Sequence, residues 1–149
     1  MALGHVRAIS IAFAILVSSC AGTAKHPATF DSASTAGGKI ELYRSGDGCG
    51  VRSEFSDSLN LNLPAPCMFV RKPGVTEPTV YHYEEGVGSV YLVNGGIDAE
   101  ADPGSCGVAV QAVVVRAGTL VAGGLDDTPD AHCLGAKTDE KLYYGLSHP

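Results

Sequence analysis

The sequence predicts an all-β domain, a mainly antiparallel sandwich or small barrel, with a short C-terminal helix and two disulfides. Three observations carry that expectation. Roughly seven or eight short runs of alternating apolar, β-branched or aromatic residues recur about every ten positions, separated by Gly, Pro, Asn and Asp. Strand-like and helix-like segments do not alternate, which disfavours a doubly wound parallel sheet. Besides Cys20 there are four cysteines, Cys49, Cys67, Cys106 and Cys133, an even number of the kind that staples small exported domains.

The chain begins with a short basic start, His5 and Arg7, followed by the apolar run 8–17 and then Ser18-Ser19-Cys20. This is the pattern of a secretory signal peptide. The run stops well short of the roughly 20 apolar residues that a spanning helix needs. Val17-Ser18-Ser19-Cys20 resembles the lipobox of bacterial lipoproteins, with an aliphatic residue three before the cysteine and small residues between. That resemblance implies a signal peptide over 1–19, cleaved before Cys20, with the Cys20 thiol diacylated and its new amino group acylated. The mature protein would then be held on a lipid bilayer through Cys20. Ala21, where an aspartate would favour the inner membrane, implies the outer membrane and a periplasmic face in a Gram-negative host. Two or more acyl chains suffice for stable anchoring, at about 0.8 kcal/mol per buried methylene.

Removing a leader from 149 residues leaves one domain. The net charge of −6, with ten scattered Lys and Arg, excludes the concentrated basic surface that nucleic acid requires. No polybasic run for anionic lipid is present either. Residues 20–38, the candidate lipidated cysteine and the stretch AGTAKHPATFDSASTAGG, offer almost nothing to bury and predict a flexible tether. As a coil it would hold the domain on the order of 25 Å from the bilayer.

The domain, 39–149, opens at 39–43, where Ile40 and Leu42 alternate with charged residues as in a half-buried strand. Ser45-Gly46-Asp47-Gly48 is a turn and 49–55 a second strand. Leu59, Leu61 and Leu63 alternate with Asn60 and Asn62, which puts leucines on one face and amides on the other until Pro64 and Pro66 end the strand. Residues 67–71 form another short strand, closed by Lys72-Pro73-Gly74. The runs 79–83 and 89–93 flank a glycine-containing loop and predict a hairpin. The stretch 107–115 is apolar on both faces except at Gln111, as a central strand should be. After Arg116-Ala117-Gly118, residues 119–122 return antiparallel beside it, and 123–133 is loop. Thr138 caps a last helix with Asp139 and Glu140 in its first turn and Gly145 as its stop, the alternative being a strand through Leu142-Tyr143-Tyr144.

Zinc sites want closely spaced pairs such as C-x2-C, and no two of these cysteines are near each other. The preferred pairing is Cys49 with Cys67 and Cys106 with Cys133, because short loops close at lower entropic cost. Three carboxylates at Asp98, Glu100 and Asp102 have a spacing that superficially suits calcium, but Pro103 stands where such a loop wants glycine. Asp126, Asp127, Asp130 and His132 form a second polar cluster without a further histidine at metal spacing. Neither is expected to hold a metal, and no cofactor is expected. No G-x-S-x-G elbow occurs, and His26, His82, His132 and His148 stand in no recognisable catalytic context, so no enzyme activity is expected.

Ser45-Gly46-Asp47-Gly48-Cys49-Gly50-Val51 is similar to the S-G-x-G-x-x-Y loop of the periplasmic and membrane-bound inhibitors of c-type lysozyme, with Val51 in place of the tyrosine. The resemblance implies that Ser45 enters a target's cleft. Together these features predict a membrane-anchored envelope lipoprotein that binds a protein, as an inhibitor or immunity protein against a lytic enzyme or toxin. The alternatives are a structural or assembly lipoprotein and a small-ligand or metal binder. Partner contacts are expected from loops, at Ser45 and Asp47 and at Asp126, Asp127 and Asp130. The second group of acids favours a basic partner.

Overall fold

The computed structural model describes residues 27–84, 86–97, 106–128 and 139–148. Among them run β1 (Thr29–Thr35), β2 (Gly38–Ser45), β3 (Gly48–Ser53), β4 (Leu59–Pro64), β5 (Cys67–Phe69), β6 (Val80–Tyr83), β7 (Gly88–Gly95), β8 (Ala109–Arg116), β9 (Thr119–Asp126) and α1 (Glu140–Ser147). All pairings are antiparallel. The first sheet is the meander β1-β2-β3-β4, and the second has the order β5-β7-β8-β9 with β6 also paired to β7. β5 lies against Val93 to Gly95 and β6 against Gly88 to Tyr91, so the two share one edge of β7 end to end.

The two sheets form a sandwich, and α1 covers the second sheet's outer face. Residue parity explains the layers. Ile40, Leu42, Val51, Leu61, Leu63 and Phe69 meet Tyr91, Val93 and Val113 between the sheets. The alternate residues Val90, Leu92, Val110, Ala112 and Val114 point the other way and pack with Tyr143 of α1. β8, apolar on both faces, is accordingly central, between β7 and β9. The exception, Gln111, is 3% exposed and bonded at both polar atoms: its Oε1 accepts from Asn62 N at 2.8 Å and its Nε2 donates to the Gly123 carbonyl at 3.2 Å. It therefore stitches β4 to β9 through the core.

Three expectations are corrected. β1 falls within the stretch expected as tether. Its residues are small and polar, but Ala33 is buried and the Asp31 carboxylate is bound by the Arg71 guanidinium and by the amides of Ser32 and Phe69. β9 continues through 123–126, expected as loop. Gly123 and Gly124 are there because α1 crosses them: a Cβ on Gly123 would lie 2.5 Å from the Leu146 carbonyl oxygen. The helix is capped by Asp139, whose Oδ1 accepts from Leu142 N at 3.3 Å, and it runs past Gly145 to Ser147. Its last turn is held in place by Leu146 against the second core.

Of the two expected disulfides, Cys49–Cys67 is complete among the described residues, with Cα atoms 6.3 Å apart, and it ties β3 to β5 across the sandwich. Cys106 is engaged in a disulfide, while Cys133, the partner expected for it, lies outside the described residues. So do Cys20 and the leader, the acidic stretch 98–102, Asp130, His132 and Thr138.

Candidate functional site

The β2–β3 hairpin carries Ser45 and Asp47. Ser45 pairs with Gly48, leaving the two-residue loop Gly46-Asp47. Gly46 takes φ 61°, which suits the glycine-first turn that follows strand twist. The Ser45 hydroxyl donates to Asn60 Oδ1 at 2.7 Å, and the Asp47 carbonyl accepts from Ala65 N at 3.1 Å. With Cys49–Cys67 directly behind it, the hairpin is fixed on three sides, and Asp47 is exposed at its tip. Val51 points into the core, fully buried.

At the second candidate loop Asp126 ends β9, and its Oδ1 accepts from Thr128 N at 2.9 Å and from the Thr128 hydroxyl at 2.5 Å. That arrangement is a local aspartate turn, and it leaves Asp127 exposed. No group of three His, Cys, Asp or Glu suited to a metal ion occurs among the described residues.

Strand pairing brings these two loops to one end of the molecule. Gly96 N donates to the Pro64 carbonyl at 2.7 Å, which aligns the C-terminal ends of β4 and β7. Antiparallel pairing then places the start of β8 and the end of β9 at that end, with Asp126 opposite Val110. In the first sheet Pro64 pairs with Gly48, so the Ser45–Asp47 hairpin is there too, as is Thr29, paired with Tyr43. The end of β6 at Tyr83, the start of β7 at Gly88 and the turn at 116–119 occupy the far end, where Ser56 Oγ accepts from Leu120 N at 3.0 Å.

No family model, curated protein or solved structure matches the chain. On the outer face of the first sheet, Glu41 bonds Lys39 Nζ at 2.8 Å and the Arg52 guanidinium at 3.0 Å. These bonds, Lys39's before Arg52's, hold the Glu41 carboxyl below the usual carboxylate range. His82 Nδ1 lies 2.8 Å from Ser89 Oγ. The two are direct cross-strand partners at an exposed position, and a serine–histidine contact becomes a nucleophile only with an orienting group and an oxyanion site.

One feature was missed by sequence reasoning. Tyr83, Glu84, Tyr144 and His148 line a surface cavity of about 230 Å³ beside α1. Tyr83 comes from a strand and Tyr144 from the helix, and each alone has the spacing of an ordinary core aromatic. Only the docking of α1 unites them, so the sequence carried no signal for the pair.

Proposed function

We propose that the protein is a bilayer-anchored envelope lipoprotein whose sandwich domain binds another protein and performs no chemistry of its own. Inhibition of, or immunity to, a lytic enzyme or toxin is its concrete form. The observation that carries this reading is the convergence of Ser45–Asp47 and Asp126–Asp127 on one end of a disulfide-tied sandwich. Rigidly held loops lose little conformational entropy on binding. Their carboxylates, in a chain of net charge −6, favour a basic partner and chiefly quicken encounter with it. Acylation of Cys20 rests on the lipobox resemblance, and a Cys106–Cys133 bridge would complete the framework.

Co-purification from detergent-solubilised envelope tests the reading: one stoichiometric basic protein partner is expected. Recovery of a large assembly machine, or of no partner, overturns it. With the partner in hand, Asp126→Asn combined with Asp127→Asn should slow association and flatten its salt dependence while leaving the melting temperature nearly unchanged. Wild-type association at low salt would remove this loop from the site. Labelling with an alkyne fatty acid should mark the wild type and not Cys20→Ser, and equal labelling of both would remove the anchor.

A further inference from the structure

The cavity beside α1 has the wrong size and lining for a small-molecule pocket. Its roughly 230 Å³ is below the roughly 300–1,000 Å³ typical of such sites, and matches a single long side chain. Its walls are two tyrosines, a histidine and a carboxylate. The Tyr144 and His148 rings, one helical turn apart, stack with centroids 4.0 Å apart and planes 20° from parallel. Tyr83 stands nearly upright to both, at 75° and 5.8 Å from Tyr144 and at 86° and 5.7 Å from His148. Three π systems thus form a corner, and Tyr144 remains 54% exposed.

The corner is fixed by the backbone rather than by a ligand. The Tyr83 hydroxyl donates to the Glu140 carbonyl at 3.2 Å, and His148 N donates to the Tyr144 carbonyl at 3.1 Å. Tyr143 beneath is fully buried and packs on Tyr81 with centroids 4.6 Å apart. Acids flank the rings on both sides: Glu84 lines the cavity, and Glu140 with Lys141 lines the adjoining one on the other side of Tyr144. Burial, and after it the Glu140 charge, pushes the Tyr83 phenol above its usual range.

The geometry points to a pocket for the guanidinium of an arginine on the partner protein. This rests on the protein-binding reading above and adds a contact surface away from the end where the two loops meet. Aromatic faces attract a cation within about 6 Å, and a planar, weakly hydrated guanidinium both stacks on a ring and pairs with a carboxylate. The chain uses the same contact internally, with Arg44 over Phe30 and Arg52 over Tyr43, each 5.3 Å from the ring centroid. Arg71 and Arg116 are engaged elsewhere, with Asp31 and with the Val87 carbonyl.

The test titrates the full chain in detergent with arginine amide, and with uncharged citrulline amide as its near-isostere, while NMR follows the tyrosine and histidine rings. Saturable shifts confined to Tyr83, Tyr144 and His148, at least ten-fold weaker for citrulline amide, are expected. Glu84→Gln should weaken arginine amide several-fold, and Tyr144→Leu, which keeps apolar bulk but removes the π face, should abolish the response. An equal response to both amides, or shifts spread over every acidic surface, overturns the pocket. Partner capture separates this inference from the reading beneath it. A partner retained equally by Tyr144→Leu overturns the pocket and leaves the protein-binding reading. No partner at all, with arginine amide still bound, does the reverse.

Discussion

Asp31 shows how much one residue can decide. Its carboxylate accepts from Ser32 N at 2.8 Å, Phe69 N at 2.9 Å and both terminal nitrogens of Arg71, at 2.6 and 2.7 Å. Both side chains are largely buried, at 12% and 21% exposure, so the pair is neither a surface ornament nor fully dry. Asp31→Ala strands the guanidinium and a strand amide. It should cost about 3 kcal/mol, above the 0–1 of exposed pairs and at the low end of the 3–5 for breaking buried ones. Urea unfolding with an unchanged slope measures it, and a loss under about 1 kcal/mol would show the bidentate contact to be dispensable. Ala117 is the opposite case. With Gly118 it forms a turn in which both residues have positive φ, 47° and 75°, and its side chain is exposed. Such turns prefer Asn-Gly, and left-handed backbone costs an ordinary residue roughly 1–2 kcal/mol. Ala117→Asn should stabilise by about 0.5–1 kcal/mol and raise the melting temperature by a few degrees. A decrease would mean that the turn has another constraint.

At the scale of elements, the helix on the second sheet depends on a gap rather than on a contact. A Cβ on Gly123 would meet the Leu146 carbonyl at 2.5 Å and the Ala112 Cβ at 2.7 Å, and neither atom can swing aside. Gly123→Ala should therefore lift the end of α1, cost about 1–3 kcal/mol, and raise amide exchange across the helix. Exchange at wild-type rates would refute that. The same region shows what could be read in advance. β8 was legible because a strand buried on both faces must be apolar throughout, and β4 because Leu61 and Leu63 alternate with two asparagines. β1 was not, since its strand character comes from pairing with β2 and from a guanidinium forty positions away. The extension of β9 was hidden because Gly123-Gly124, a turn signal locally, serves a neighbour that arrives later in the chain.

For the whole molecule, the Gly46-Asp47 turn was legible from its turn chemistry, whereas the loop expected from 123 begins only after Asp126, the last residue of β9. The meeting of the two at one end was not legible, because it depends on how β4 aligns with β7. The disulfide framework can be tested without any partner. Alkylation of the denatured, unreduced mature domain should leave Cys49, Cys67, Cys106 and Cys133 unmodified. Removing Cys49–Cys67 should cost about 2–5 kcal/mol in a domain this small. Quantitative alkylation at Cys106 or Cys133 would refute the second bridge.

The presence of β1 at Thr29–Thr35, within the expected tether, also shortens the chain left to span any gap to a membrane. Between Cys20 and Thr29 lie nine peptide units, about 30 Å if fully stretched and roughly 15–18 Å as a relaxed coil. Thr29 enters at the end that carries Ser45–Asp47 and Asp126. Were Cys20 the anchor, those loops would face a gap narrower than a typical folded domain, and the bilayer would act as a size filter. Only a slender partner, or one already lying on the lipid, would reach them head-on. A bulkier one would have to come from the side, towards the helix and its aromatic corner.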